Sequence, residues 1–214
     1  MLDAPLRRLL EGPLDRIAAP LDRPGITPDR LTVLGLVAGL ASAACAAGQL
    51  WWWALALWVF SRAMDGLDGP LARRRLRASG SASGADDNGS GRGGFLDITA
   101  DFVVYGTTVV GVAVGATAGY DAPWWPFLLV LLAYYVNGTA FLAFSSIAER
   151  TGRQRDDGRS LSFLGGLAEG AETIAVHALW LVLPQHAGLI AIIWGGVVLV
   201  SAAQRIVAGY RDLA

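Results

Sequence analysis

An all-α protein that crosses a membrane six times is the fold this sequence predicts, and three observations predict it. First, 54% of the 214 residues are hydrophobic and only 16% are charged, with a mean hydropathy of +0.46. That composition excludes a disordered chain and a nucleic-acid-binding domain. The net charge of −1 calls for no polyanionic partner. Second, six stretches meet the requirement of roughly 20 mostly apolar residues for a helical span. They are expected near Leu31–Gln49, Trp51–Arg73, Phe95–Ala118, Ala122–Ala148, Phe163–Leu183 and Ala187–Ala208. Third, the arginines of the connecting segments all fall on one side of these stretches.

The N-terminal residues 1–27 read as an amphipathic juxtamembrane segment. Leu6, Leu9, Leu10, Leu14, Ile17 and Leu21 recur at helical spacing among Arg and Asp. Such a helix lies on the cytoplasmic membrane surface or packs against the bundle. No apolar run precedes the first span, so the segment is not a cleavable signal peptide. Ile26-Thr27-Pro28 should end it, and Asp29 helps to start span 1. Residues 28–214 then form one six-helix transmembrane domain. Spans 1 and 2 join directly at Gly48–Leu50, and Gly119–Pro126 and Pro184–Gly188 are also short. Residues 78–94, between spans 2 and 3, are rich in Gly and Ser and should be a flexible cytoplasmic loop. The spacing of Asp86, Asp87 and Asn88 within it fits no calcium-binding loop.

Arginine placement orients the spans. Arg7, Arg8, Arg16, Arg23 and Arg30 precede span 1, and Arg74, Arg75, Arg77 and Arg92 separate spans 2 and 3. Arg150, Arg153, Arg155 and Arg159 separate spans 4 and 5, and Arg205 and Arg211 lie at the C-terminal end. The three opposite connectors hold no arginine. Both termini and the long loops are therefore expected in the cytoplasm. Trp51, Trp52, Trp53, Trp124 and Trp125 form an aromatic belt on the far side.

Chemistry concentrates in four aspartates. Asp65 and Asp68 are spaced i,i+3 and Asp97 and Asp101 i,i+4, so each pair shares a helix face. Both pairs sit at the cytoplasmic ends of neighbouring spans. Four carboxylates in one cleft cannot all stay ionised without counter-charge, and a divalent metal supplies it. The single cysteine, Cys45, and the two histidines, His177 and His186, exclude a thiolate or His-rich zinc centre. Hard oxygen ligands select Mg²⁺, Mn²⁺ or Ca²⁺. Two such ions suit in-line displacement at phosphorus. Gly66 and Gly69 leave one helix face bare for a ligand, Ala72 keeps the next turn small, and Arg73 offers a fork-shaped phosphate donor. Gly93 stands four residues before the second pair.

The run Asp65-Gly66-Leu67-Asp68-Gly69-Pro70-Leu71-Ala72-Arg73, followed by Gly93-Gly94-Phe95-Leu96-Asp97-Ile98-Thr99-Ala100-Asp101, resembles the signature of the CDP-alcohol phosphatidyltransferases. That signature reads D-x-x-D-G-x-x-A-R, a spacer, then G-x-x-x-D-x-x-x-D. Its eight fixed positions are matched in type and order, and the resemblance extends over nearly the whole chain. The spacer Arg74–Arg92 is longer than the family's usual one and looks like a loop insertion. Pro70 fills a variable position. Lacking an N–H, it should loosen the helix near the Gly66 carbonyl, most simply as a tolerated kink.

The resemblance implies transfer of a phosphatidyl group from CDP-diacylglycerol to an alcohol, releasing CMP, in phospholipid biosynthesis. Carried over by position, Asp65, Asp68 and Asp97 bind Mg²⁺ or Mn²⁺, two ions in all. Asp101 is the general base and also touches a metal. Asp65, Gly66, Asp68, Gly69, Ala72, Arg73 and Gly93 line the cytidine-diphosphate site. The resemblance also implies a homodimer in a bacterial inner membrane, in contact with membrane lipids, with the site facing the cytoplasm.

The acceptor is less legible. Arg150 and Arg153, with Arg155 and Arg159, could hold a phosphorylated acceptor such as glycerol 3-phosphate, which would make the chain a phosphatidylglycerophosphate synthase. They serve equally as topology markers or contacts for anionic headgroups. Glu169 and Glu172, expected about two turns into span 5 with Thr173 on the same face, could bind acceptor hydroxyls or pair with Arg62. The run Gly165–Thr173 is similar to a bacterial branch of the family whose acceptor is unassigned. His177 reads as a hydrogen-bonded interior residue. Gly111, Gly115 and Gly119 form a small-xxx-small run for packing between subunits or within one.

Two other readings compete. Aromatic prenyltransferases also use paired aspartates and Mg²⁺, but carry more spans and other spacings. A small cation transporter could use the four aspartates, but such sites lie near the midplane at repeat interfaces. These aspartates lie at one end, and no repeat is visible.

Overall fold

The computed structural model describes residues 12–78, 87–152 and 167–213. Every regular element among them is helical: α1 (Pro28–Ala47), α2 (Trp51–Ala78), α3 (Asp87–Tyr120), α4 (Trp125–Arg150), α5 (Gly170–Val182) and α6 (Ala187–Asp212). Residues 12–18 are also helical, and short 3-10 turns occupy Ala19–Leu21 and Pro184–His186. Four helical stretches are long and apolar enough to cross a membrane, at Pro28–Ala47, Gly91–Tyr120, Trp125–Arg150 and Pro184–Asp212. Large apolar side chains stand exposed along the helices, among them Val37, Leu128 and Ile193, as a lipid-facing surface requires.

The chain divides into two compact units, with the boundary between Gly115 and Ala116 inside α3. In the first unit, α1 opens on a complete N-cap. The Thr27 side chain accepts the Arg30 N–H at 3.2 Å, Pro28 follows, and Asp29 lies in the first turn. Proline suits the first turn because its missing N–H has no intrahelical partner there. Gln49, at φ 60°, turns the chain into α2. α2 returns along α1, and two buried serines tie them together. Ser42 Oγ donates to Ala54 O and Ser61 Oγ to Gly35 O, both at 2.7 Å.

α3 lies beside α1 at backbone distance. A Cβ on Gly111 would fall within 2.9 Å of the Ala43 Cα, and one on Gly115 would strike the Ala46 carbonyl and Trp51. Gly39 in turn makes room for Val104. Gly111 and Gly115 thus pack within the chain, and small residues on both helices permit the approach. The N-terminal segment docks on the same unit. Leu14, Ala18, Leu21 and Ile26 pack with Leu31, Leu67 and Leu71. Arg74 Nη1 meets Asp15 at 3.0 Å, and Arg75 bonds Asp22 at 3.1 Å. Ile17 remains exposed.

In the second unit, α4 packs along α6 and runs in the same direction. Leu129 lies against Gly195, the Arg205 guanidinium over Phe141, and Phe144 and Ala148 beside Ala208 and Leu213. A buried polar chain crosses the pair. Trp194 Nε1 donates to Tyr134 Oη at 2.7 Å, and Tyr134 Oη lies 2.8 Å from His177 Nε2. His177 is fully buried and hydrogen-bonded, as its position in an apolar span predicts.

Two expected boundaries shift. α3 begins at Asp87, so residues 87–94 of the expected loop are helical, while 79–86 lie outside the described residues. Helix propagation adds one hydrogen bond per residue onto an existing nucleus, and this offsets the roughly 1 kcal/mol that each glycine costs. α5 begins at Gly170, not near Phe163. Residues 167–169 are not helical, and 153–166 lie outside the described residues. Its 13 residues reach about 20 Å at ~1.5 Å per residue, short of a hydrocarbon core of about 30 Å. Glu169 is therefore the extended N-cap of α5, at φ −116° and ψ −175°, and not a residue two turns inside it.

Candidate active site

The first unit gathers the aspartates where α1, α2 and α3 meet. One carboxylate oxygen from each of Asp65, Asp68 and Asp97 lies within 4.8 Å of the others. The spacing of the first pair and the approach of α3 to the other two helices produce this triad. Asp68 is 9% exposed, and Thr32 Oγ1 on α1 donates to its Oδ2 at 2.6 Å. Thr32 also reaches the Pro28 carbonyl at 3.2 Å. Gly35, one turn on, brings α1 close to the α2 backbone, where a Cβ would sit 3.1 Å from Ser61 O.

Asp101 takes a different partner. Its Oδ1 accepts from Arg62 Nη1 at 2.6 Å, and the same nitrogen lies 3.6 Å from Asp65 Oδ2. The Arg62 guanidinium lies 5.3 Å from the Trp58 ring centre and 5.1 Å from that of Tyr105. Arg62 Nη2 donates to Ser61 Oγ at 3.0 Å.

The remaining predicted residues surround this cluster. A Cβ on Gly66 would meet nothing within 4 Å, so the helix face beside Asp65 is open. Pro70 stands inside a continuous α2 and gives the Gly66 carbonyl no N–H partner. The Arg73 guanidinium lies over Gly69, 3.3 Å from where a Cβ would stand. Ala72 is half-buried and Arg73 exposed. Gly93 faces Asp29, whose Oδ1 would lie 3.8 Å from a Cβ there, and Arg92 pairs with Asp29 at 3.8 Å.

The predicted acceptor residues belong to the second unit. Arg150 ends α4 and is exposed, whereas Arg153, Arg155 and Arg159 lie outside the described residues. Glu169 caps α5, Glu172 lies in its first turn, and the Thr173 hydroxyl donates to the Glu169 carbonyl at 2.8 Å.

Sequence reasoning missed Thr32 and the role of Arg62. Thr32 carries no signal in one sequence, because its partner is 36 residues away. Arg62 carried one: a charge inside a span, three residues before Asp65.

Comparison with known proteins shows the family and the fold. Residues 25–202 match the family model for CDP-alcohol phosphatidyltransferase. The chain is 34% identical to the inner membrane protein YnjF of Escherichia coli, over 100% of this chain and 97% of that one. It is 28% identical to the phosphatidylinositol phosphate synthase of Mycobacteroides abscessus, over 75% of this chain and 64% of that one. It is 33% identical to the archaetidylinositol phosphate synthase of Methanothermobacter thermautotrophicus, over 80% of this chain and 70% of that one. The fold is similar to the crystal structure of Mycobacterium tuberculosis phosphatidylinositol phosphate synthase (PgsA1) with CDP-DAG bound. The TM-score is 0.69 at 22% identity, over 92% of this chain and 93% of that one. The family is one of transferases acting on substituted phosphate groups, which sets aside the transporter and prenyltransferase readings. With Asp65, Asp68 and Asp97 brought together between α2 and α3, the chain belongs to the CDP-alcohol phosphatidyltransferase family.

Proposed function

We propose that the protein transfers a phosphatidyl group from CDP-diacylglycerol to a polar alcohol, with release of CMP, in phospholipid biosynthesis. The observation that carries this is the meeting of Asp65, Asp68 and Asp97 oxygens within 4.8 Å, beside the open helix face at Gly66. The donor set is all hard oxygen, with neither Cys nor His in it, and fits Mg²⁺ or Mn²⁺. Asp65, Asp68 and Asp97 would hold two such ions, with Asp101 also touching one. When bound, they neutralise the diphosphate and the departing CMP.

The chain's own residues do the rest. Gly66 and Gly69 let the cytidine diphosphate approach the α2 backbone, beside Ala72 and Gly93. Arg73 offers its guanidinium to phosphate oxygens. Asp101 takes the proton of the acceptor hydroxyl, because a free alcohol is a poor nucleophile. Thr32 keeps Asp68 aimed at the site. The acyl chains stay in the bilayer while CMP and the acceptor exchange with water. The site therefore belongs at the membrane–cytoplasm boundary of a bacterial inner membrane. The chain's six helices lie in that membrane with both termini cytoplasmic, and the N-terminal amphipathic segment lies at that boundary. The working unit is a homodimer, as the family resemblance implies, and Gly111 and Gly115 are not its contact because α1 covers them.

Two relatives are named as synthases of inositol phosphate lipids. Inositol phosphate therefore stands beside glycerol 3-phosphate at the head of the acceptor panel, with inositol, serine and simple polyols. Arg150, Arg153, Glu169 and Glu172 are the residues assigned to the acceptor. The test is CMP release from CDP-diacylglycerol by detergent-purified protein with Mg²⁺ or Mn²⁺ across that panel. Release with one acceptor, abolished by chelation, is the expected result. No release with any acceptor and no thermal protection by CDP would remove the reading.

A further inference from the structure

We propose that the N-terminal segment, residues 12–27, is a docking surface for anionic phospholipid headgroups, created by a sorting of its charges on folding. This rests on the placement of the segment at the membrane–cytoplasm boundary proposed above.

The amino-acid sequence alone does not display such a surface. Residues 12–27 carry two acids, Asp15 and Asp22, and two bases, Arg16 and Arg23, so their charges cancel. Folding separates them. Leu14, Ala18 and Leu21 pack with Leu67 and Leu71 of α2, and the two acids turn to the same helix. Asp15 meets Arg74 at 3.0 Å, and Asp22 meets Arg75 at 3.1 Å.

The segment's own arginines are left outside. Arg16 and Arg23 are both exposed, and among the described residues neither side chain enters an ion pair. Their backbone is held even so. Arg16 directly follows Asp15, and the Arg23 carbonyl accepts from Arg75 Nη2 at 3.2 Å. The α2 arginines thus neutralise the acids, and the outer surface keeps the segment's positive charge.

That surface is also apolar. Between Arg16 and Arg23 stand Ile17, 53% exposed, and Pro20, also exposed. A soluble anion would pair with the guanidinium groups and gain nothing from Ile17. A leaflet surface serves both, because an apolar side chain enters the acyl boundary while its arginine neighbours reach the phosphates. A guanidinium takes phosphate oxygens through paired N–H bonds. A zwitterionic headgroup offsets part of that attraction with its own cation, so the surface selects lipids of net negative charge. Leu67 and Leu71, which seat the segment, alternate along α2 with Asp65, Asp68 and Gly69. A headgroup that steadies the segment therefore steadies the helix that carries the first aspartate pair.

The test places the full chain in nanodiscs of phosphatidylcholine, with or without phosphatidylglycerol, and reads hydrogen exchange at residues 12–27. Phosphatidylglycerol should slow exchange there by roughly fivefold or more and leave α4 and α6 unchanged. High salt should remove the difference. The double variant Arg16→Gln, Arg23→Gln should lose it, because neither side chain holds the segment on α2. Arg16→Lys with Arg23→Lys should keep most of it, because the charge stays. Equal exchange of the wild type in the two bilayers would overturn the proposal. So would a difference that survives in the glutamine variant, or one that inorganic phosphate reproduces in phosphatidylcholine nanodiscs. Exchange is read without the reaction. Failure here leaves the transfer reading intact, and absent CMP release leaves this result standing.

Discussion

Thr32 on α1 donates its hydroxyl to Asp68 on α2 at 2.6 Å, inside the protein. The bond turns the first helix from scaffold into part of the site. A carboxylate that shares an ion is useful only when its oxygens point the right way, and partners behind a ligand set that orientation. Thr32→Val keeps the shape and removes the donor. The metal concentration for half-maximal CMP release should rise about tenfold, with little change at saturating metal. Thr32→Ser should restore the wild-type value. A metal titration of the three proteins checks it, and an unchanged midpoint for Thr32→Val would show the bond to be structural only.

Asp68 and Asp101 should fail in different ways. Asp68→Asn removes a proposed ligand, so activity should return as metal is raised. Asp101→Asn removes the proposed base. Its kcat should fall about 10²–10⁴-fold at every metal concentration, while CDP still protects the folded protein against heat. Metal titrations of kcat, run beside CDP thermal shifts, separate the two. An Asp101→Asn variant near wild-type rate would take the base role from Asp101.

The sequence displayed the aspartates, the bare glycine faces and most helix bounds because each is a local pattern. The i,i+3 and i,i+4 spacings fix which side chains share a face whatever the tertiary context. Thr27-Pro28-Asp29 is a helix start in its own three residues. What escaped was set by distance or by competition. Thr32 has a partner only after α1 and α2 fold back on each other. The residues before Gly170 are apolar enough for a span, yet 167–169 are not helical, and hydropathy alone does not register that. The glycines of the 78–94 segment suggested a loop, but helix growth from α3 incorporates residues 87–94. Arg62 was visible as a charge in a span, but its bond to Asp101 forms only once α2 and α3 pack together.

Gly111 and Gly115 should tolerate no side chain. A Cβ at Gly111 would lie 2.9 Å from the Ala43 carbonyl carbon and Cα, so α1 and α3 would have to separate. Overpacking of this kind costs about 1–3 kcal/mol, and backbone on the other side leaves little to yield. Gly111→Ala should lower Tm in detergent and shed activity with it, because the same two helices carry Thr32 and Asp97. Gly106→Ala on the same helix is the control, since a Cβ there meets nothing within 4 Å. It should be neutral, or stabilising by up to about 1 kcal/mol from helix propensity.

Arg75 should hold the N-terminal segment on α2. It bonds Asp22 at 3.1 Å and Arg23 O at 3.2 Å, and it also reaches Ile26 O. One planar fork serves three acceptors, and an ammonium group cannot copy that geometry. Because the pair is part-exposed, its loss should cost about 1 kcal/mol. Arg75→Ala and Arg75→Lys should both speed hydrogen exchange at residues 19–27 and leave exchange in α4 and α6 unchanged. Equal protection in all three proteins would assign the docking to Leu14, Ala18 and Leu21 alone.

Tyr134 should be worth more to the second unit than its size suggests. Trp194 Nε1 is a donor only, so its 2.7 Å contact makes the Tyr134 oxygen an acceptor. The Tyr134 proton then points to His177 Nε2, 2.8 Å away, which assigns the neutral imidazole its proton on Nδ1. Tyr134→Phe would take a partner from both neighbours at once in a buried setting. Each loss costs about 1–3 kcal/mol. A clear fall in Tm is expected, while the metal dependence of the surviving activity stays at the wild-type value. His177→Phe in the Tyr134→Phe background should recover part of the stability, because an apolar ring no longer needs the hydroxyl. A double variant less stable than Tyr134→Phe alone would show that His177 makes further bonds that matter more than the one to Tyr134.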